Sequence, residues 1–198
     1  MNKQEIMKSL ESIIEALSAE EQEEITTFDF GSGPVPAHQH TNPDGSIGGW
    51  VADTAKVEPN VYIGSNARVF GEAWVYGNAQ VYGEAWVYGE ARVWGKACVL
   101  GNARVYGYAE VYGNAWAYDK ARVYDKALVY GNAEVFGNAE VYGTAQVSGT
   151  AQVSGFARVY GNALVSGNAE VCGNAEVYGN ALVFGDAGEH YHSDYNED

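Results

Sequence analysis

From about Ala55 to Ala187 a six-residue unit repeats without an insertion or deletion, as in Asn102-Ala103-Arg104-Val105-Tyr106-Gly107. Ala recurs every six residues from Ala67 to Ala187, and an aliphatic residue follows it two positions later. A helix of 3.6 residues per turn cannot keep this period on one face, whereas short strands separated by turns can. Ala and Val lie two apart, so both point to the same side of a strand, and the residues flanking Val point the other way. Gly and the Asn that often follows it suit the turns. Each unit therefore predicts one side of a coil, with Val inside the side and Ala inside near the corner.

Residues eighteen apart then stack above one another. One side carries the aromatic column Phe70, Tyr88, Tyr106, Tyr124, Tyr142, Tyr160, Tyr178. Beside it run Arg68, Trp86, Arg104, Arg122, Glu140, Arg158 and Glu176, with four of the five arginines in the chain. The second and third sides carry shorter aromatic columns that give way to Ser near Ser148 and Ser154. Stacked identical rings stabilise a sheet by themselves, and Arg packs well on aromatic faces. Tyr, Trp and Arg are equally the residues that anchor protein interfaces. The candidate binding residues on this side are Arg68, Trp86, Tyr88, Arg104, Tyr106, Arg122, Tyr124 and Arg158. A second candidate is the irregular stretch Trp116–Lys126, with Trp116, Asp119, Lys120, Asp125 and Lys126. There Ala117 replaces the inward Val, and two Asp replace turn Gly. Local irregularity marks functional sites, but drift with weak local ion pairs explains it as well.

In these units the chain resembles the hexapeptide-repeat proteins, whose motif is an aliphatic residue with a small residue four positions on; Val105 with Ala109 and Val123 with Ala127 match it. The resemblance covers about two thirds of the chain. It implies an all-β fold, a left-handed parallel β-helix shaped as a triangular prism, here of about seven coils and roughly 35 Å at about 4.8 Å per coil. Within the superfamily the chain looks most similar to uncharacterised phage and bacterial members, rather than to the acyltransferases. Those acyltransferases imply trimers, a His on or near the coils and loops that grip an acyl donor; a related class, the carbonic anhydrases, binds metal through His. This chain has no His between His40 and His190 and no inserted loop. No catalytic residue, metal site or cofactor is therefore expected, and an enzyme is the less favoured reading.

Outside the array, residues 1–25 read as a helical segment. Ile6, Leu10, Ile13 and Leu17 stand at coiled-coil spacing and are candidate oligomerisation residues, although packing on the prism would use the same stripe. Residues 26–37 read as a Gly/Pro-rich linker. Residues 38–54 read as a hairpin-like cap turning at Asn42-Pro43-Asp44-Gly45, with Trp50 over the open end of the first coil. Residues 55–187 are the β-helix and 188–198 an acidic tail. His38, His40, His190 and His192 are expected at the surface.

The net charge of −15 is unevenly spread. Residues 1–30 hold eight acids against two bases, and residues 186–198 five acids and no base. Direct nucleic-acid binding needs the opposite sign and is not expected. Cys98 and Cys172 fall on one side about four coils, or roughly 19 Å, apart, too far for a disulfide. With no signal peptide or membrane-length apolar run read, a cytoplasmic protein with no membrane partner is expected. The favoured function is a non-catalytic interaction or scaffold protein that binds a protein partner, itself, or both. An inhibitor of a host enzyme or defence complex, as a phage would carry, is one concrete form. An acyltransferase-like enzyme and a carbohydrate-binding or structural β-helix are the alternatives.

Overall fold

The computed structural model describes residues 3–20, 26–185 and 190–191. A helix, α1 (Lys3–Glu20), precedes strands β1 (Thr27–Asp29), β2 (Pro34–Thr41) and β3 (Ile47–Ala52). From Lys56 onward the chain forms two-residue strands at six-residue intervals, with few exceptions. They assemble into three parallel sheets, so the array is a three-sided β-solenoid. Two of the sheets have eight strands each, which makes about eight turns. That exceeds the seven expected because Trp50–Val51 and His190–Tyr191 both join sheets outside the counted array. None of the described helices is long and apolar enough to cross a membrane.

A strand of two residues has no stability of its own, and the neighbouring coil supplies it. Lys56 N–H donates to the Ala73 carbonyl at 2.8 Å, and Trp74 N–H to the Ala91 carbonyl at 2.9 Å, and this step of seventeen residues continues along the array. The corners are bonded too, as where Glu72 N–H donates to the Gly89 carbonyl at 2.8 Å. This closeness favours glycine at the corners. Gly71 has φ +69°, and a Cβ there would lie 2.9 Å from the Gly89 nitrogen. Inside, every Ala and Val of the pattern from Ala67 to Val171 is fully buried, including Ala117. Each buried Val contributes about 1.5–3 kcal/mol as an upper figure before chain entropy.

The amino-terminal end departs from the expected linker and cap. Residues 26–37 hold β1 and the start of β2, which pair antiparallel with Phe28 opposite Val35. Strand β2 pairs antiparallel with β3, and β3 pairs parallel with Arg68–Val69. The first sheet is thus closed by a three-stranded meander. Trp50 does not cover the open end; it stands on the outer face, its ring stacked on Phe28 at 4.7 Å. Phe30, Ala37 and Ala52 form a second small core beneath it, joined by Phe70. Gly49 permits the crossing, since a Cβ there would collide with the Ala67 carbonyl.

The third sheet has no strand to cover its first member, Tyr62–Ile63, and side chains take that place. Asn42, nearly fully buried, donates from Nδ2 to the Ile63 carbonyl at 3.2 Å and accepts from Ile63 N–H at 2.8 Å. Its amide imitates the missing strand. His40 also departs from the surface position expected: it is buried, with Nε2 2.9 Å from the Val61 carbonyl oxygen. A carbonyl partner makes Nε2 the donor. His38, two residues away, is exposed and lies 2.8 Å from Asp53 Oδ1. At the other end His190–Tyr191 pairs with Glu170–Val171, a step of twenty residues rather than eighteen. The Leu17 side chain and residues 192–198, including His192, lie outside the described residues.

Burial holds the His40 pKa below the ordinary value of 6.5, against a smaller opposing effect of the Val61 hydrogen bond. On unfolding the imidazole regains its ordinary affinity for protons. Stability from neutral His40 is therefore complete above about pH 6.5 and is lost as the pH falls through that value towards the lowered folded pKa. Thermal unfolding near pH 7.5 and near pH 5 checks this. The wild type should lose more Tm across the interval than His40→Gln, which keeps a donor but does not titrate; equal losses would remove His40 from the acid response.

Candidate interaction face

The first sheet brings its outward residues into register. Trp50, Arg68, Trp86, Arg104, Arg122, Glu140, Arg158 and Glu176 pair one to the next along the sheet. Trp50 and Phe28 extend the predicted column. Trp50 could have been found by carrying the period of eighteen back from Arg68; Phe28 arrives through β1, which has no repeat to mark it.

The two halves of this column differ in chemistry. Towards the amino terminus aromatic and cationic residues alternate. The Arg68 guanidinium lies 5.2 Å from both the Phe28 and Trp86 ring centres, and that of Arg104 lies 4.7 Å from Trp86. Trp86 is thus held between two cations. Among the described residues neither arginine forms an ion pair, although Arg68 helps to lower the Asp29 pKa, after the larger effect of the Gly31 and Gly33 amides. Arg104 also stands next in register to Arg122, so two like charges adjoin. Beside Arg68 a groove of about 490 Å³ runs past Trp50, Trp86 and Glu84.

Towards the carboxyl terminus the arginines are neutralised. Arg122 Nη1 donates to Glu140 Oε1 at 3.3 Å, and Tyr124 Oη donates to Glu140 Oε2 at 3.2 Å. Arg158, Tyr160 and Glu176 repeat the arrangement two coils on, at 3.3 and 3.2 Å. The two ion pairs are largely solvent-exposed, with Arg side chains 51% and 54% accessible, so each adds only about 0–1 kcal/mol. Burial, then Glu140, pushes the Tyr124 hydroxyl pKa well up; on the third side burial and Glu134 push Tyr118 up to about 12.

The tyrosine column is a stack. Tyr88 and Tyr106 have ring centres 4.8 Å apart and planes within 5°; Tyr106–Tyr124 and Tyr142–Tyr160 follow at 4.9 Å and 3°. The ring spacing equals the coil spacing, so each ring's two faces meet its neighbours. The column offers a partner ring edges and hydroxyls. The aromatic faces of this sheet that engage cations are those of Phe28 and Trp86.

The stretch Trp116–Lys126 does not gather into one site. Trp116 is exposed on the third side, edge-on to Tyr118 at 6.3 Å. Asp119–Lys120 turns the corner onto the first sheet, and Asp125–Lys126 turns the corner off it. Lys120 lines a shallow groove with Arg122 and Arg158. Asp119 and Asp125 adopt the corner conformation of glycine, with φ 59° and 57°. Each then accepts from the glycine amide of the next coil: Gly137 N–H to Asp119 Oδ2 at 3.3 Å, Gly143 N–H to Asp125 Oδ2 at 3.2 Å. Asp tolerates the left-handed region through such local hydrogen bonding, so these irregularities have a structural cause. On α1, Ile6, Leu10 and Ile13 are all exposed, as is Met7.

The corner conformation yields a paired test. Asp119→Gly should leave stability within about 0.5 kcal/mol, because Gly needs no compensation at positive φ. Asp119→Ala loses the amide contact and keeps the Cβ, and should cost about 1–2 kcal/mol in urea unfolding. Equal losses for Gly and Ala would show that the carboxylate, not the backbone, dominates this corner.

A family model described as the YdcK beta solenoid repeat matches residues 157–173 and 175–191. The two matched segments are offset by eighteen residues, the period of the coils, and they support a β-solenoid repeat family. No curated protein and no solved structure matches the chain.

Proposed function

We propose that the protein is a non-catalytic binding scaffold, and that the amino-terminal half of its first face holds an acidic surface of a protein partner. The observation that carries this reading is the Arg68–Trp86–Arg104 stack. Arg122, Arg158 and Arg92 each have a carboxylate within 3.5 Å, whereas among the described residues Arg68 and Arg104 form no ion pair and are held on aromatic rings. Guanidinium groups preordered on a ring lose little entropy when they grip a carboxylate, and Trp and Arg are the usual centres of protein interfaces. The hexapeptide-type repeat and a left-handed winding belong to the same proposal, as does the phage-type inhibitor form. Lysate capture with the wild type and with Arg104→Glu/Trp86→Ala tests it, with Arg158→Gln as the folded control. A protein retained by wild type and control but lost by the double variant supports the face; identical captures from all three overturn it.

A second reading concerns α1, and it is favoured by one observation. Ile6, Leu10 and Ile13 are 42–52% exposed on a helix of eighteen residues, at the 4–3 spacing of a coiled-coil seam. Self-association of α1 would cover them and present several binding faces together. Sedimentation should show an oligomer for the full chain and a monomer for Leu10→Glu/Ile13→Glu with the solenoid still folded. A wild-type monomer at high concentration would refute it.

A further inference from the structure

Trp74 and Tyr108 are among the exposed aromatic residues that belong to none of the stacks. Trp74 is the one ring in its column, where Lys56 precedes it and Arg92 and Glu110 follow. Tyr108 occupies a corner position that Thr54, Glu72 and Glu90 hold in earlier coils. The fold requires an aromatic at neither place. Trp74 is 39% and Tyr108 56% exposed, and both line one groove of about 640 Å³ on the second side.

The groove runs between the corner column and the strand column. Tyr108 lies two coils beyond the level of Trp74, about 10 Å along the axis at about 4.8 Å per coil, which is roughly the length of two linked pyranose rings. Both aromatic walls are fixed. The Glu90 carboxylate one coil back lies beside the Tyr108 hydroxyl and pushes its pKa up. Trp74 has the Tyr76 ring at 4.6 Å, tilted by 37°, and the Lys56 ammonium 5.9 Å from its centre. Between the walls Arg92 Nη1 lies 3.5 Å from Glu110 Oε1. The floor therefore presents donors and acceptors side by side.

We propose that this groove is a carbohydrate subsite for a neutral oligosaccharide. Sugar rings offer C–H faces to Trp74 and Tyr108 and hydroxyls that both donate to carboxylates and accept from Arg92 and Lys56. Other ligand classes fit less well. A phosphorylated ligand would meet Glu72, Glu90 and Glu110 against two cations. A peptide strand would need a free sheet edge, but here Lys56, Trp74 and Arg92 N–H groups already donate to the next coil. A lipid chain would leave the groove's charges buried and unpaired.

Calorimetric titration of the full chain with cellotetraose, maltotetraose, mannotetraose and N-acetylated chitotetraose tests the proposal. At least one should bind, with an affinity little changed by salt because the ligand is uncharged. Trp74→Ala and Tyr108→Ala should each weaken that binding about tenfold or more, at an unchanged unfolding midpoint. Phe156→Ala, an exposed ring at another corner, should not alter it. Absence of binding by all four tetrasaccharides, or binding that survives both groove variants, overturns the proposal.

Discussion

The hydrogen bond from one coil to the next is the constraint on which everything else in this protein rests. A two-residue strand gains nothing from its own segment, and its amides find partners only when the chain returns in register. Trp86 N–H meets the Ala103 carbonyl, Arg104 N–H the Ala121 carbonyl, and so on through the array. One inserted residue would turn Val outward and its charged or aromatic neighbour inward for the rest of that side. The uninterrupted period is therefore a condition of stability. It also means that each outward residue has a fixed neighbour 18 residues away, so that function on this surface is written in columns.

That translation made much of the molecule legible. The Ala and Val interior, the tyrosine stack and the Arg/Trp/Glu column follow from counting in eighteens, because parallel in-register pairing places equivalent side chains together. The ends were not legible for the same reason. His40 and Asn42 act by bonding Val61 and Ile63, twenty-one residues ahead, to close a sheet that has no preceding strand. No period announces such a contact; a polar side chain at the margin of a repeat looks like a surface residue. Strand β1 was hidden similarly, since Gly31, Gly33 and Pro34 read as a linker when they in fact turn a meander. At Asp119 and Asp125 the departure from the pattern was visible, but its cause was not. A carboxylate that satisfies an amide of the next coil while tolerating positive φ can be told from a binding group only with the backbone in view.

The same register explains why the first face divides in two. Repetition of Arg along a column would stack like charges one coil apart, and Arg104 beside Arg122 is such a case. The carboxyl-terminal half relieves this by alternating Arg with Glu, and the tyrosine beside each Arg closes the group. The amino-terminal half relieves it by interposing Trp86 between Arg68 and Arg104. Both devices keep cations apart, but they leave different surfaces. The Glu device consumes the arginine's charge in an exposed pair; the Trp device holds the guanidinium in place and leaves its charge to be used.

An acidic partner approaching this face meets opposing fields at different ranges. The chain as a whole carries −15, so at low salt a like-charged partner is repelled before contact. At physiological salt the field decays over about 8 Å, so charges farther away than that act little on a carboxylate in contact with Arg104. Attraction at the Arg–Trp stack is short-ranged, partly desolvated by the rings and less screened. Net charge and local charge therefore act on different steps: the first slows encounter, the second slows release. Modest salt should speed association more than it speeds dissociation, the reverse of the pattern for a protein that steers its partner in by long-range attraction. A face built on arginines within an acidic chain thus favours partners that complement the stack at contact over those that match only in overall charge.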